Sequence, residues 1–181
     1  SDAHPAVRRH AIRISENVSS PTPRLNAALL QRLSDADASV RFQLALSLGR
    51  WDDPRAGEML GRLAVAGFDD PWLRAAVLSS ATRFAGEILK AVLAAVPDST
   101  ARSDFIGQLI ATAAGSSDRA LLGRALSSVA PTGGQQPELW RFQAITSLLD
   151  AIARHGVPLD SLADASNADQ RGALNRLQQM F

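Results

Sequence analysis

The chain has 181 residues, 46% apolar and 20% charged, with a formal net charge of +1. Balanced charge and a single lysine, Lys90, argue against a strong nucleic-acid binder, which carries a basic excess. Cysteine is absent, which excludes disulfides, thiolate metal sites, a cysteine nucleophile and a CxxCH haem attachment within these residues; no apolar run reaches the roughly 18 residues of a membrane span.

The opening Ser1-Asp2-Ala3-His4-Pro5 is neither a signal peptide nor a normal initiation, and is expected to be cut from a longer protein. A helix is expected near residues 5–17. Ser20 before Pro21 is a cap for a helix near 21–33, with Leu25, Leu29 and Leu33 at helical spacing. The polar turn at 34–37 leads into a helix near 38–50 carrying Val40, Leu44 and Leu48, with Gly49 as its stop. Asp53 before Pro54 caps a helix near 54–66, and the turn at 67–70 leads into one near 71–83. Further helices are expected near 86–96, 102–114 and 118–129. The Pro- and Gly-rich stretch 130–137 is the clearest loop. A longer helix follows near 138–155, and a polar one at 168–180 turns Ala173, Leu174 and Leu177 inward. No alternating segment requires a strand.

These helices repeat. Val7, Val40, Leu73 and Ile106 are each 33 residues apart, as are Ala11, Leu44, Val77 and Ile110, and Ile12, Ala45, Leu78 and Ala111. A second helix type keeps the same period through Ala27, Leu60, Leu93 and Leu126, and through Leu30, Leu63, Val96 and Val129. The tripeptide Arg-Phe-Gln at Arg41 recurs at Arg141, an offset of 100 residues, which is three periods and one residue inserted in the Gly133-Gly134 loop. Ordering a chain costs about 1–2 kcal/mol per residue, so one hairpin of helices cannot stand alone and units must stack to share a core.

The stretches HPAVRRHAIRISE, ADASVRFQLALSLG and DDPWLRAAVLSSA resemble HEAT repeats over roughly residues 1–155, least so over 97–137. The resemblance implies an all-α superhelix of four to five hairpins in a single domain, 1–181. Regular repeats would fill 1–130, a longer unit 137–155 and a terminal cap 158–181. It also implies a ladder between units, of Arg8, Arg41, Arg74 and Arg141 with Asp37 and Asp70, interrupted where Gly107 replaces arginine. The same stretches look like the helical-repeat segment of large planctomycete-type bacterial proteins. Those proteins place a sorbosone-dehydrogenase-like β-propeller before the repeats and a c-type cytochrome domain after them. That likeness implies a periplasmic or cell-surface setting.

No catalytic constellation stands out. His4, His10 and His155 lack partner ligands at metal spacing. Asp52-Asp53 and Asp69-Asp70 precede helix-opening prolines and are expected as caps. The serine pairs lack a GxSxG elbow, and neither glycine-rich stretch is a phosphate loop. Trp51, Trp72, Trp140, Phe42 and Phe142 are expected to pack between units, with a binding surface as the alternative. In HEAT arrays the second helices line a concave face. Residues three, seven and ten after each anchor then give a polar groove of Gln43, Ser47, Arg50, Ser80, Arg83, Gln143 and Ser147. The expected function is a non-catalytic scaffold without cofactor, positioning dehydrogenase-like and cytochrome domains. The alternatives are an independent adaptor using the groove or, less favoured, a nucleic-acid-binding enzyme of HEAT-like fold. The expected partners are protein domains, with no nucleic acid, membrane insertion or small-molecule substrate.

Overall fold

The computed structural model describes residues 2–18, 22–97, 99–115, 127, 139–156, 158 and 168–178. Among them every regular element is helical. They are α1 (Pro5–Ile14) with a 3-10 turn (Ser15–Asn17), α2 (Pro23–Leu30), α3 (Ala38–Leu48), α4 (Pro54–Ala66), α5 (Pro71–Ser79), α6 (Ala85–Ala95), α7 (Thr100–Gly115), α8 (Leu139–His155) and α9 (Ala168–Gln178). The expected helix near 118–129, the loop at 130–137 and the Ser20-Pro21 cap lie outside the described residues, apart from Ser127, which is helical.

Capping sets the starts. His4, Asp37 and Asp70 occupy one register position ahead of α1, α3 and α5, and each side chain accepts backbone N–H groups left unpaired by the first turn. Asp37 Oδ1 takes Ser39 N–H at 2.8 Å and Asp70 Oδ1 takes Trp72 N–H at 2.9 Å. Asp53 does the same for α4, followed by Pro54 as expected. α2 starts two residues later than expected, with Thr22 as cap and Pro23 in its first turn.

The chain divides into two compact units, Ser1–Val96 and Pro97–Phe181. The division falls at Pro97, which cannot continue α6. In the first unit α3 packs between α1 and α5, α6 packs on α4, and α4 touches both α3 and α5. Gly61 lets α6 approach, since a Cβ there would lie 2.8 Å from that of Ala91. Asn26 ties α2 to α4: its amide oxygen, oriented by this bonding, accepts both terminal nitrogens of Arg55 at 2.8 and 2.9 Å. In the second unit α7 packs along α8, with Ile106, Leu109 and Ile110 in the core from one helix and Ala144, Ile145 and Leu148 from the other.

From the second repeat onward most positions of the 33-residue register are buried, with Leu78, Leu93 and Ala111 half-buried. Val40, Leu44, Ala45, Leu60, Leu63 and Val77 are all fully buried. In the first repeat Ile12 is buried, but Val7 is 50% exposed and Leu30 39%. Of the aromatics, Trp51 is buried and Trp72 is 75% exposed; Phe142 is exposed and Phe42 half-buried. The Trp140 side chain lies outside the described residues.

Leu44, with no exposed surface, gives the sharpest stability test. Leu44→Ala is expected to cost about 2–5 kcal/mol, measured by urea denaturation. A loss below about 0.5 kcal/mol, the usual size of a surface substitution, would contradict the register.

Candidate functional site

The expected arginine ladder takes a different form. Arg8 forks onto Asp35, not Asp37, with Nε to Oδ2 at 2.8 Å and Nη2 to Oδ1 at 2.7 Å. Asp35 also accepts from Arg32 Nη1 at 3.1 Å and from the backbone N–H of Asp37. Asp37 and Asp70 are spent on the helix caps, so they make no rung with Arg8, Arg41 or Arg74. One period after Asp35 stands Phe68, which carries no charge, and the guanidinium of Arg74 lies 5.4 Å from its ring centroid. What repeats is a latch to the backbone. Arg8 donates to Asp2 O, Arg41 to Asp35 O and Arg74 to Phe68 O, each six residues back. Arg141 is half-buried on α8. At Gly107, one period and one insertion earlier, a Cβ would come within 3.0 Å of Ser147 Oγ, so this glycine admits α8.

The C-terminal ends of α1, α3 and α5 enclose a cavity of about 430 Å³. Gln43, Arg50, Ser80 and Arg83 of the expected groove line it, together with Arg13, Glu16, Leu46, Gly49, Ser79 and Thr82. Glu16 is the hub. It accepts from Ser47 Oγ at 2.7 Å and Gln43 Nε2 at 3.3 Å, and pairs with Arg50 Nε at 3.4 Å. Ser47 is therefore a buried support behind Glu16 and not a lining residue. Arg83 reaches Asp52 at 3.1 Å and the carbonyl of Trp51 at 3.1 Å. The Asp52 carboxylate is 94% exposed, so that pair adds little stability. Arg13, Arg50 and Arg83 thus line the cavity with one glutamate; Arg50 pairs with that glutamate and Arg83 with Asp52.

Sequence reasoning missed Glu16 and Arg13, and the signal was present in the period. Arg13, Leu46 and Ser79 are in phase, as are Glu16, Gly49 and Thr82. Counting six and nine residues from each anchor would have found both sets. α3 ends at Leu48 with Gly49 as its C-cap, as expected, and Gly49 has a second task. Its φ of −63° needs no glycine, but a Cβ there would lie 2.6 Å from Ser80 Cβ and 2.8 Å from Ser80 Cα. The missing side chain lets the ends of α3 and α5 meet.

Gln143 and Ser147 belong to the second unit. They line a separate cleft of about 600 Å³ between α7 and α8, with Asp104, Gln108, Phe142, Thr146 and Asp150 among its walls. Ser79 Oγ donates to the carbonyl of Ala76. No cluster of three metal-binding side chains exists among the described residues. No helix there is long and apolar enough to cross a membrane.

Comparison with known proteins agrees with this architecture. A family model described as HEAT repeats matches residues 1–81 and, in a second alignment, 26–110. No curated protein and no solved structure matches.

The Asp35 carboxyl is held below the usual range by hydrogen bonds from Arg8, helped by the Asp37 N–H and by the charges of Arg8 and Arg32, against the opposing effect of burial. A depressed carboxylate stabilises the fold fully above its unfolded value of about 3.9 and loses that contribution as pH falls through the folded value. Asp35→Asn is expected to cost about 3 kcal/mol at pH 7. The gap from the parent should shrink steadily below pH 4 in urea titrations, and a gap independent of pH would contradict the assignment. Gly49→Ala is expected to cost about 1–3 kcal/mol through its collision with the Ser80 backbone, and an unchanged urea midpoint would show that the helix ends do not meet.

Proposed function

The chain belongs to the HEAT repeat family, and we propose that it is a non-catalytic scaffold that holds a partner protein in the groove around Glu16. HEAT repeats generally act as protein-interaction scaffolds. The observation that carries the groove is its construction. Equivalent positions of three consecutive repeats line one cavity, which suits an extended segment lying across them. Its three arginines against one glutamate favour a segment with carboxylate side chains. Arg50, 69% exposed at its side chain, can exchange Glu16 for such a partner at little cost.

In the fuller form of this proposal, the scaffold sets the geometry between a dehydrogenase-like propeller and a c-type cytochrome module of a larger bacterial protein. That protein would be exported to the periplasm or cell surface. The likeness of HPAVRRHAIRISE, VRFQLALSLG and DDPWLRAAVLSSA to such proteins supports this form. The solvent exposure of Arg50 and Arg83 also suits an independent adaptor.

The test uses purified c-type cytochrome and sorbosone-dehydrogenase-like propeller domains as probes. At least one should bind, and the Arg50→Glu/Arg83→Glu double variant should weaken binding tenfold or more, with its urea midpoint nearly unchanged. Equal binding by both forms would remove the groove from the proposal. Binding of neither domain, with a different protein bound through the same arginines, would leave the adaptor.

A further inference from the structure

The seat that holds the Glu16 carboxylate recurs one period on, with glycine in place of the acid. At the boundary of α1 and α3, Glu16 takes Ser47 Oγ on Oε1 at 2.7 Å and Arg50 Nε on Oε2 at 3.4 Å. The 33-residue period carries Glu16 to Gly49, Ser47 to Ser80 and Arg50 to Arg83. The boundary of α3 and α5 therefore keeps the hydroxyl and the guanidinium of the seat, and all three residues line the cavity.

Both donors are unspent. Ser80 is only 8% exposed, yet its hydroxyl has no hydrogen-bond partner among the described residues. Arg83 gives Nη1 to Asp52 and Nη2 to the carbonyl of Trp51. That leaves its Nε, the atom Arg50 turns to Glu16, without an acceptor among the described residues. A buried hydroxyl left unpaired costs free energy that an incoming acceptor returns. Residue 49 cannot supply that acceptor, since a Cβ there would lie 2.6 Å from Ser80 Cβ. Asp52 is turned to solvent, with its carboxylate 94% exposed.

We propose that the Gly49–Ser80–Arg83 corner of the cavity seats a glutamate side chain of a partner protein, as Ser47 and Arg50 seat Glu16. Ser80 Oγ–H donates to one carboxylate oxygen and Arg83 Nε–H to the other, and hydrogen bonds to an ionised acceptor are the strong ones. The cavity runs on across α3 to Glu16 and Arg13, so the carboxylate is presented by an extended segment and not by a small acid. The seat presupposes the partner groove proposed above, and it places one carboxylate of the segment at one corner of that groove.

Labelled hexaglutamate and hexaglutamine peptides serve as probes, with fluorescence anisotropy at low salt as the readout. Hexaglutamate should bind saturably and hexaglutamine should not. Ser80→Ala should weaken binding about tenfold, with its urea midpoint nearly unchanged because the hydroxyl holds nothing in the fold. Ser47→Ala should instead lower the urea midpoint, since it strips a bond from Glu16. Arg83→Gln should weaken binding at least as much as Ser80→Ala. If Ser80→Ala leaves binding intact while Arg50→Glu/Arg83→Glu abolishes it, the seat falls and the groove stands; if neither changes it, both fall. No binding of hexaglutamate, or equal binding of hexaglutamine, would overturn the seat. Free glutarate binding as tightly as the peptide would also overturn it, because the occupant would then be a small acid.

Discussion

Short helices in water are unstable alone, and this chain is built almost wholly from them. Most of its helices run to between 8 and 13 residues, below the length at which an isolated helix persists. Each must therefore be held by neighbours, and the 33-residue period supplies those neighbours at fixed intervals. A second-type helix such as α3 is flanked by α1 and α5 and backed by α4. Its stripe of Val40, Leu44, Ala45 and Leu48 leaves almost no surface to solvent. The polar groove and the arginine latches both follow from which side of this stack a residue falls on.

Electrostatics does a more local job. Of the first three ladder arginines, Arg8 forks onto a carboxylate, that of Asp35, across the repeat boundary. It is nearly dry on the carboxylate side, at 2% exposure, which is why the backbone N–H of Asp37 and the side chain of Arg32 are both drawn to it. Glu16 is the looser counterpart, with a hydroxyl, an amide and a guanidinium around a carboxylate open to the cavity. Asp35 fastens two repeats together, while Glu16 ties the end of α1 to α3 beside the cavity.

Much of the fold was legible because it is written in local chemistry. Apolar period placed the helices, and Asp-Pro pairs placed their starts, since a cap acts on atoms two or three residues away. What was not legible depends on distance in space. Nothing in the sequence chooses Asp35 over Asp37 as the partner of Arg8. Asp37 is claimed by the helix it precedes, and only the turn between them leaves Asp35 facing α1. Gly49 was legible as the stop of α3, but its second use lies 31 residues away at Ser80 and was not. Of the groove, Gln43, Arg50, Ser80 and Arg83 were found by counting from the anchors. Ser47 turned inward because its hydroxyl reaches Glu16, a residue of the preceding repeat.

The latch from Arg8, Arg41 and Arg74 to a carbonyl six residues back has an effect on how such a chain can vary. A carbonyl oxygen is present whatever side chain the residue bears, so the latch carries no demand on amino-acid identity at its acceptor. The acceptor side chain is thereby released for other work: Asp35 binds Arg8, and Phe68 lies under Arg74. A position that must be occupied but need not be any particular residue holds little information in an aligned set of repeats. The motif looks degenerate there because the fixed part of the contract is written in the main chain.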